Sequence, residues 1–112
     1  MELAGRVALV TGAGRRLGRA MASALAARGM TVAIHYWSSH AGADDLKRDI
    51  EAAGGRAACF AADLSDARAA RALPGRVVDA LGRLDVLVNS AAVMHHLRFA
   101  DTTVEQYDEI LD

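Results

Sequence analysis

Residues 7–28 constrain this chain more than any other stretch. Val7-Ala8-Leu9-Val10 is a short unbroken apolar run, the pattern of a strand covered on both faces. Thr11-Gly12-Ala13-Gly14-Arg15-Arg16-Leu17-Gly18 follows. Leu17, Met21, Ala24 and Leu25 then recur at helical spacing, and Gly29 suits the residue just past a helix end. A glycine turn between a parallel strand and a helix aims free backbone N–H groups at one point, together with the positive end of the helix dipole. That point suits a phosphate. The same residues also fit a tight turn that binds nothing.

The rest of the chain alternates in the same way. Thr31 to Tyr36 is β-branched and short, and reads as a second strand. Ala43 to Ala53 reads as a helix with Leu46, Ile50 and Ala53 on one face, ended by Gly54-Gly55. Arg56 to Ala62 is a third strand. The next helix carries a stripe of Ala70, Leu73, Val77, Val78 and Leu81, ended by Gly82. Pro74 removes a backbone bond in its middle and predicts a kink or break, but the stripe stays in phase across it, which argues for one bent element. Leu84 to Val88 is a fourth strand. A loop with His95-His96 follows, and Thr103 with Gln106 forms a capping box for a last helix. Strands alternating with helices imply α/β architecture with a parallel sheet.

Composition excludes several classes. The 112 residues suffice for one domain with one modest core, 53% hydrophobic and 24% charged. A net charge of −1 gives no electrostatic case for nucleic acid or an anionic membrane, and no apolar stretch reaches membrane-spanning length. The one cysteine, Cys59, excludes an internal disulfide, fits a reducing cytoplasm, and sits in an apolar run where a buried inert thiol is the better reading. Adjacent His95 and His96 would point opposite ways in an extended loop, and no third ligand has suitable spacing, so no metal site is expected.

The glycine spacing narrows the choice. The dinucleotide fingerprint G-x-G-x-x-G is met at Gly12 and Gly14 but has Leu17 at its third position, and the Gly-Lys-Ser/Thr of a Walker loop is absent. T-G-x-x-G-x-x-G fails at Arg15. T-G-x-x-x-G-x-G fits better, with Thr11, Gly12 and Gly18 in place and Arg16 at the middle glycine. This pattern resembles the short-chain dehydrogenase/reductase family, and the basic pair before Leu17-Gly18 looks most like its pteridine-reductase branch.

The resemblance implies a Rossmann-like sheet of order 3-2-1-4, truncated, in which residues 1–112 are the N-terminal cofactor-binding part of a single domain. It also implies a nicotinamide dinucleotide held by Gly12, Gly14, Arg15, Arg16, Leu17 and Gly18. Tyr36, Ser38 and Ser39 would lie at the adenosine ribose, where the strand ends without a carboxylate. A basic residue at position 15 marks NADP preference in the family, so NADP(H) is expected over NAD(H); the alternative leaves Arg15 and Arg16 as solvated surface charges. Asp63-Leu64 resembles the pair that takes the adenine amino group, unless Asp63 or Ser65 simply caps the next helix. Asn89-Ser90-Ala91-Ala92 resembles Asn-Asn-Ala-Gly, with Asn89 tying the fourth strand to its neighbours and Ala91 along the cofactor.

The family's proton-transfer pair, a tyrosine with a lysine four residues later, has no counterpart. Four residues beyond Tyr36 and Tyr107 stand His40 and Leu111, and four before Lys47 stands Ala43. No catalytic residue is assignable. The apolar face of Val104, Tyr107, Ile110 and Leu111 runs to Asp112 uncovered. The expected protein is a cytoplasmic, NADPH-dependent reductase of a small carbonyl or pteridine-like substrate, a homo-oligomer when complete, of which this chain carries only the binding half. A non-catalytic nucleotide-binding or interaction module is the alternative.

Overall fold

The computed structural model of the chain describes residues 2–90. Its elements alternate as expected: β1 (Val7–Thr11), α1 (Arg16–Ala27), β2 (Thr31–Tyr36), α2 (His40–Ala52), β3 (Arg56–Ala61), α3 (Ala67–Leu81) and β4 (Val86–Asn89). The four strands form one parallel sheet of order β3-β2-β1-β4, Rossmann-like and flanked by helices. The loop of His95-His96 and the helix opened by Thr103 lie outside the described residues.

Strand alternation splits the core in two. Val10, Val32 and Ile34 face α1 and α2, where they meet Ala22, Ala43, Leu46 and Ile50. Val7, Leu9, Ala33 and Phe60 face the other way and meet Leu73 and Val77 of α3. Both faces are thus covered, which explains the unbroken apolar run of β1, buried along its whole length.

The structure corrects four local expectations. On α1 the buried positions are Gly18 and Ala22, while Ala24 is exposed and Leu17 is 69% exposed. The small side chains of the helix turn inward because its first turn presses on the glycine turn. A Cβ on Gly18 would stand 2.5 Å from the Gly12 carbonyl oxygen. Helix α2 starts at His40 rather than Ala43, with the His40 ring edge-on to Tyr36 at 5.4 Å, and Ala53 is exposed. Val78 of α3 is also exposed, since Val77 takes the one contact position on that turn. Strand β4 begins at Val86, because Asp85 spends both its backbone and its carboxylate on Val7. Pro74 lies within one continuous α3, as the phase of the stripe implied.

Candidate functional site

The sheet order places β4 and β2 on opposite sides of β1, so the chain connections diverge at the C-terminal end of β1. Open parallel sheets bind ligands at such a point. A cleft of about 450 Å³ lies there. Another, of about 400 Å³, lies at the opposite ends of the strands, bordered by Thr31 and Arg56, the first residues of β2 and β3. The first cleft has the chemistry: it is bordered by the glycine turn, the start of α1 and the end of β2.

Its floor is held by hydrogen bonds. Gly12 leaves β1 at φ +62°, and its N–H donates to Nδ1 of His35 at 3.0 Å. The other ring nitrogen of His35 lies 2.8 Å from the carbonyl of Ala62, to which it donates once Nδ1 accepts. His35 is 3% exposed, and burial lowers its pKa. The bond to Ala62 opposes that shift and the charge of Arg76 adds to it. The ring is therefore neutral at pH 7.

Thr11 closes the same floor towards β4. Its hydroxyl lies 3.3 Å from the Val88 carbonyl and 3.4 Å from Oδ1 of Asn89, and it accepts the N–H of Ser90.

The wall comes from two helix N-termini. Arg15 is the N-cap of α1 and has no side-chain acceptor to offer, so the first turn keeps its N–H groups for something else. By contrast, Asp66 caps α3 by accepting from the N–H groups of Arg68 and Ala69. Arg16 follows at φ +41°, left-handed backbone at the position where the family pattern has glycine. Helix α2 then packs over the turn: a Cβ on Gly14 would stand 3.0 Å from Ser39 Cβ and 3.2 Å from the Ala43 nitrogen, and one on Gly42 would collide with the Gly14 carbonyl. Arg15 bridges the two walls, donating from Nε to Ser39 Oγ and lying 3.5 Å from Ser38 Oγ.

The structure brings most of the expected residues together. Gly12, Gly14, Arg15, Arg16, Leu17, Gly18, Tyr36, Ser38, Ser39 and Ser90 all border the cleft, with His35 and Trp37. Asp63, Leu64 and Asn89 do not border it directly. Leu64 packs against the core beneath α3. Asp63 does not cap α3; it accepts from the N–H and hydroxyl of Ser65, bonds that lower its pKa. Ala91 lies outside the described residues. The arrangement fits a dinucleotide: uncapped N–H groups and close-approach glycines for a pyrophosphate, and a guanidinium with two hydroxyls for a further phosphate.

The profile for short chain dehydrogenase matches residues 6–112. The chain belongs to the short-chain dehydrogenase/reductase family. It is 46% identical over 111 residues to an uncharacterized oxidoreductase of Methylorubrum extorquens, covering 99% of this chain and 45% of the relative. A short chain dehydrogenase from Burkholderia cenocepacia solved in complex with NADP superposes with a TM-score of 0.80 at 41% identity, over 99% of this chain and 45% of that one. Landomycin C-6 ketoreductase, solved with NADP and rabelomycin, gives 0.76 at 36% identity, over 97% and 47%. The chain thus spans less than half the length of these family members. Family members bind nicotinamide dinucleotides in the structures named here, and NADP is the form present in both.

Two residues of the site were not picked out from the sequence. His35 was visible only as part of the end of β2, yet a lone histidine closing an apolar buried strand is a signal that its ring has internal partners. Gly42 sits inside a helix, where glycine is unfavourable unless another backbone comes close.

Proposed function

We propose that residues 1–112 are the N-terminal, dinucleotide-binding part of a single Rossmann-type domain in an NADPH-dependent reductase. The carrying observation is the reach of Arg15 to both Ser38 and Ser39 at the end of a strand that offers no carboxylate. This set suits the 2′-phosphate that distinguishes NADPH from NADH. The N–H groups at the start of α1 take the pyrophosphate, with Gly12, Gly14 and Gly18 allowing close approach. Arg16 adds positive charge and Leu17 an apolar wall. Tyr36 borders the ribose, Asp63 and Leu64 lie on the adenine side, and Asn89 and Ser90 line the way to the nicotinamide; Ala91 is assigned to the cofactor by the family resemblance alone.

When bound, the dinucleotide supplies a hydride to a carbonyl or imine-like bond. This chain's residues bind and orient it; none carries the proton, for lack of a Tyr-x-x-x-Lys pair. The ketoreductase likeness supports a carbonyl substrate, and the basic pair Arg15-Arg16 supports the pteridine-reductase branch. The complete enzyme acts in the cytoplasm as a homo-oligomer. Among the described residues no helix is long and apolar enough to cross a membrane.

A second reading is a binding module without catalysis. Activity of the complete protein separates the two: the reductase reading expects NADPH oxidation with a carbonyl substrate, and the module reading expects none. The 112-residue chain alone should oxidise no NADPH above background with ketones, aldehydes or dihydropteridines. In the complete protein, Arg15→Ala should raise KM for NADPH about tenfold to hundredfold, the equivalent of one charge-assisted bond, and leave NADH nearly unchanged. Equal weakening of both cofactors would assign Arg15 to the pyrophosphate or the fold and remove the NADP preference.

A further inference from the structure

We infer that His35 is a positioning residue for the dinucleotide: its neutral ring, by accepting from Gly12 and donating to Ala62, holds the pyrophosphate turn and the adenine-side loop in one register, and protonation at Nδ1 releases the turn from that tie. The inference rests on the dinucleotide reading above.

The geometry leaves the ring one productive state. Gly12 is the first residue of the turn, and its N–H needs an acceptor because it lies at a part-buried position. Only an unprotonated Nδ1 provides it, so the proton sits on Nε2, facing Ala62. Ala62 immediately precedes Asp63 and Leu64, and its own N–H donates to the Tyr36 carbonyl at 3.0 Å. Ala13 donates in turn to the His35 carbonyl at 3.0 Å. One residue of β2 thus ties the loop after β1 to the loop after β3, through its ring on both sides and its backbone on the β1 side as well. A proton added at Nδ1 would face the Gly12 N–H, two donors meeting with no acceptor between them.

Apart from the Ala62 carbonyl on the far side of the ring, the surroundings offer that proton no compensation. Thr11, Gly12 and Ala13 come from β1 and the turn, and Phe60 to Ala62 from β3; none carries charge. From α3 comes the guanidinium of Arg76, which donates to the Ala61 carbonyl at 2.8 Å and disfavours a second cation. The carboxylate of Asp63, next in the chain after Ala62, is engaged with Ser65. The sign follows. The unfolded or released histidine binds protons near its ordinary value of 6.5 and the held ring binds them less readily, so the held turn is complete above that pH and is lost as pH falls on through the ring's own, lower value.

The test uses the complete protein and two probes, NADP+ and NAD+. NAD+ lacks the 2′-phosphate, whose own titration would otherwise contribute. Both dissociation constants should be flat from pH 8 to about 6.5 and rise at lower pH, approaching about tenfold per pH unit. In His35→Asn the amide oxygen can still accept from Gly12 but cannot titrate, and this variant should flatten the rise for both probes. Independently of any variant, the imidazole ¹⁵N signals at pH 8 should show the proton on Nε2. A proton on Nδ1 would overturn the inference, as would a pH-independent affinity in the unaltered protein or an unchanged pH curve in His35→Asn. Failure of both dinucleotides to bind at pH 8 would overturn the dinucleotide reading and this inference with it.

Discussion

Ser90 and Thr11 hold each other twice: the Ser90 N–H donates to Thr11 Oγ1 at 3.0 Å, and the Ser90 hydroxyl donates to the Thr11 carbonyl. This is how the end of β4 is fastened to the end of β1, beside the cleft. Serine stands where the family pattern resembled here has a second asparagine, and its shorter side chain reaches the neighbouring strand directly. Ser90→Ala keeps the backbone bond and removes the other, so it should cost about 1 kcal/mol in chemical denaturation. An unchanged midpoint would show that the hydroxyl contributes nothing to fastening the strands.

Gly18 should resist replacement while Gly75 should welcome it. Both are helical. A Cβ on Gly18 would stand 2.5 Å from the Gly12 carbonyl oxygen, whereas one on Gly75 would meet nothing within 4 Å. Overpacking costs roughly 1–3 kcal/mol, against about 1 kcal/mol that alanine returns in helix propensity. Gly18→Ala should therefore destabilise the protein and weaken dinucleotide binding. Gly75→Ala should raise stability by up to about 1 kcal/mol. Thermal melts of the two variants side by side check the opposite signs.

Asp85 should make stability acid-sensitive. Its carboxylate accepts from Arg83 at 2.8 Å through two nitrogens, from the Val7 N–H at 2.8 Å, and pairs with Arg6 at 3.4 Å. The bonds to Arg83 and Val7 lower its pKa from 3.8 to about 2. A lowered carboxylate pKa stabilises the folded state above the ordinary value, and that contribution is lost as pH falls through the folded one. Asp85→Asn can keep the oxygen that accepts from Val7 and from Arg83 Nε but gives up the charge and the arginine contacts of the second oxygen. The gap in melting temperature between it and the unaltered protein should be widest near neutral pH, narrow below about 4, and close as pH falls through about 2. A gap that stays constant over this range would mean that charge is not what Asp85 contributes.

Trp37 offers a route to switch cofactors. It borders the cleft beside Ser38 and is 62% exposed, so a polar replacement should leave the core intact. Trp37→Asp in the complete protein places a carboxylate near the proposed 2′-phosphate. Two unit charges at ~4 Å repel by about 1 kcal/mol in water, so kcat/KM should shift about fivefold or more towards NADH. Raising the salt should shrink the shift, because the site is open to solvent. A shift that ignores salt would point to lost contact with the indole instead of charge.

Features that depend on neighbours along the chain can be read from its residues alone. The unbroken apolar run of β1, the glycine turn opened by Gly12, the order of strands and helices and the grouping of Arg15 with Ser38 and Ser39 were legible. Each follows from side-chain periodicity, from glycine's freedom at positive φ, or from a family motif a few residues long. The sheet order, too, came from that motif and not from the periodicity. Features that depend on approach between distant segments emerge from the packing. Leu17 and Ala24 turned outward on α1 because Gly18 had to pass Gly12. Helix α2 gained a turn because His40 met Tyr36. Strand β4 started late because Asp85, 78 residues away, claimed the Val7 N–H. His35 acquired its part in the turn only when β1 and β3 brought Gly12 and Ala62 to its two nitrogens. Local patterns record which face of a segment can be buried, but close packing selects the side chains that touch, and that selection is made by backbones dozens of residues apart.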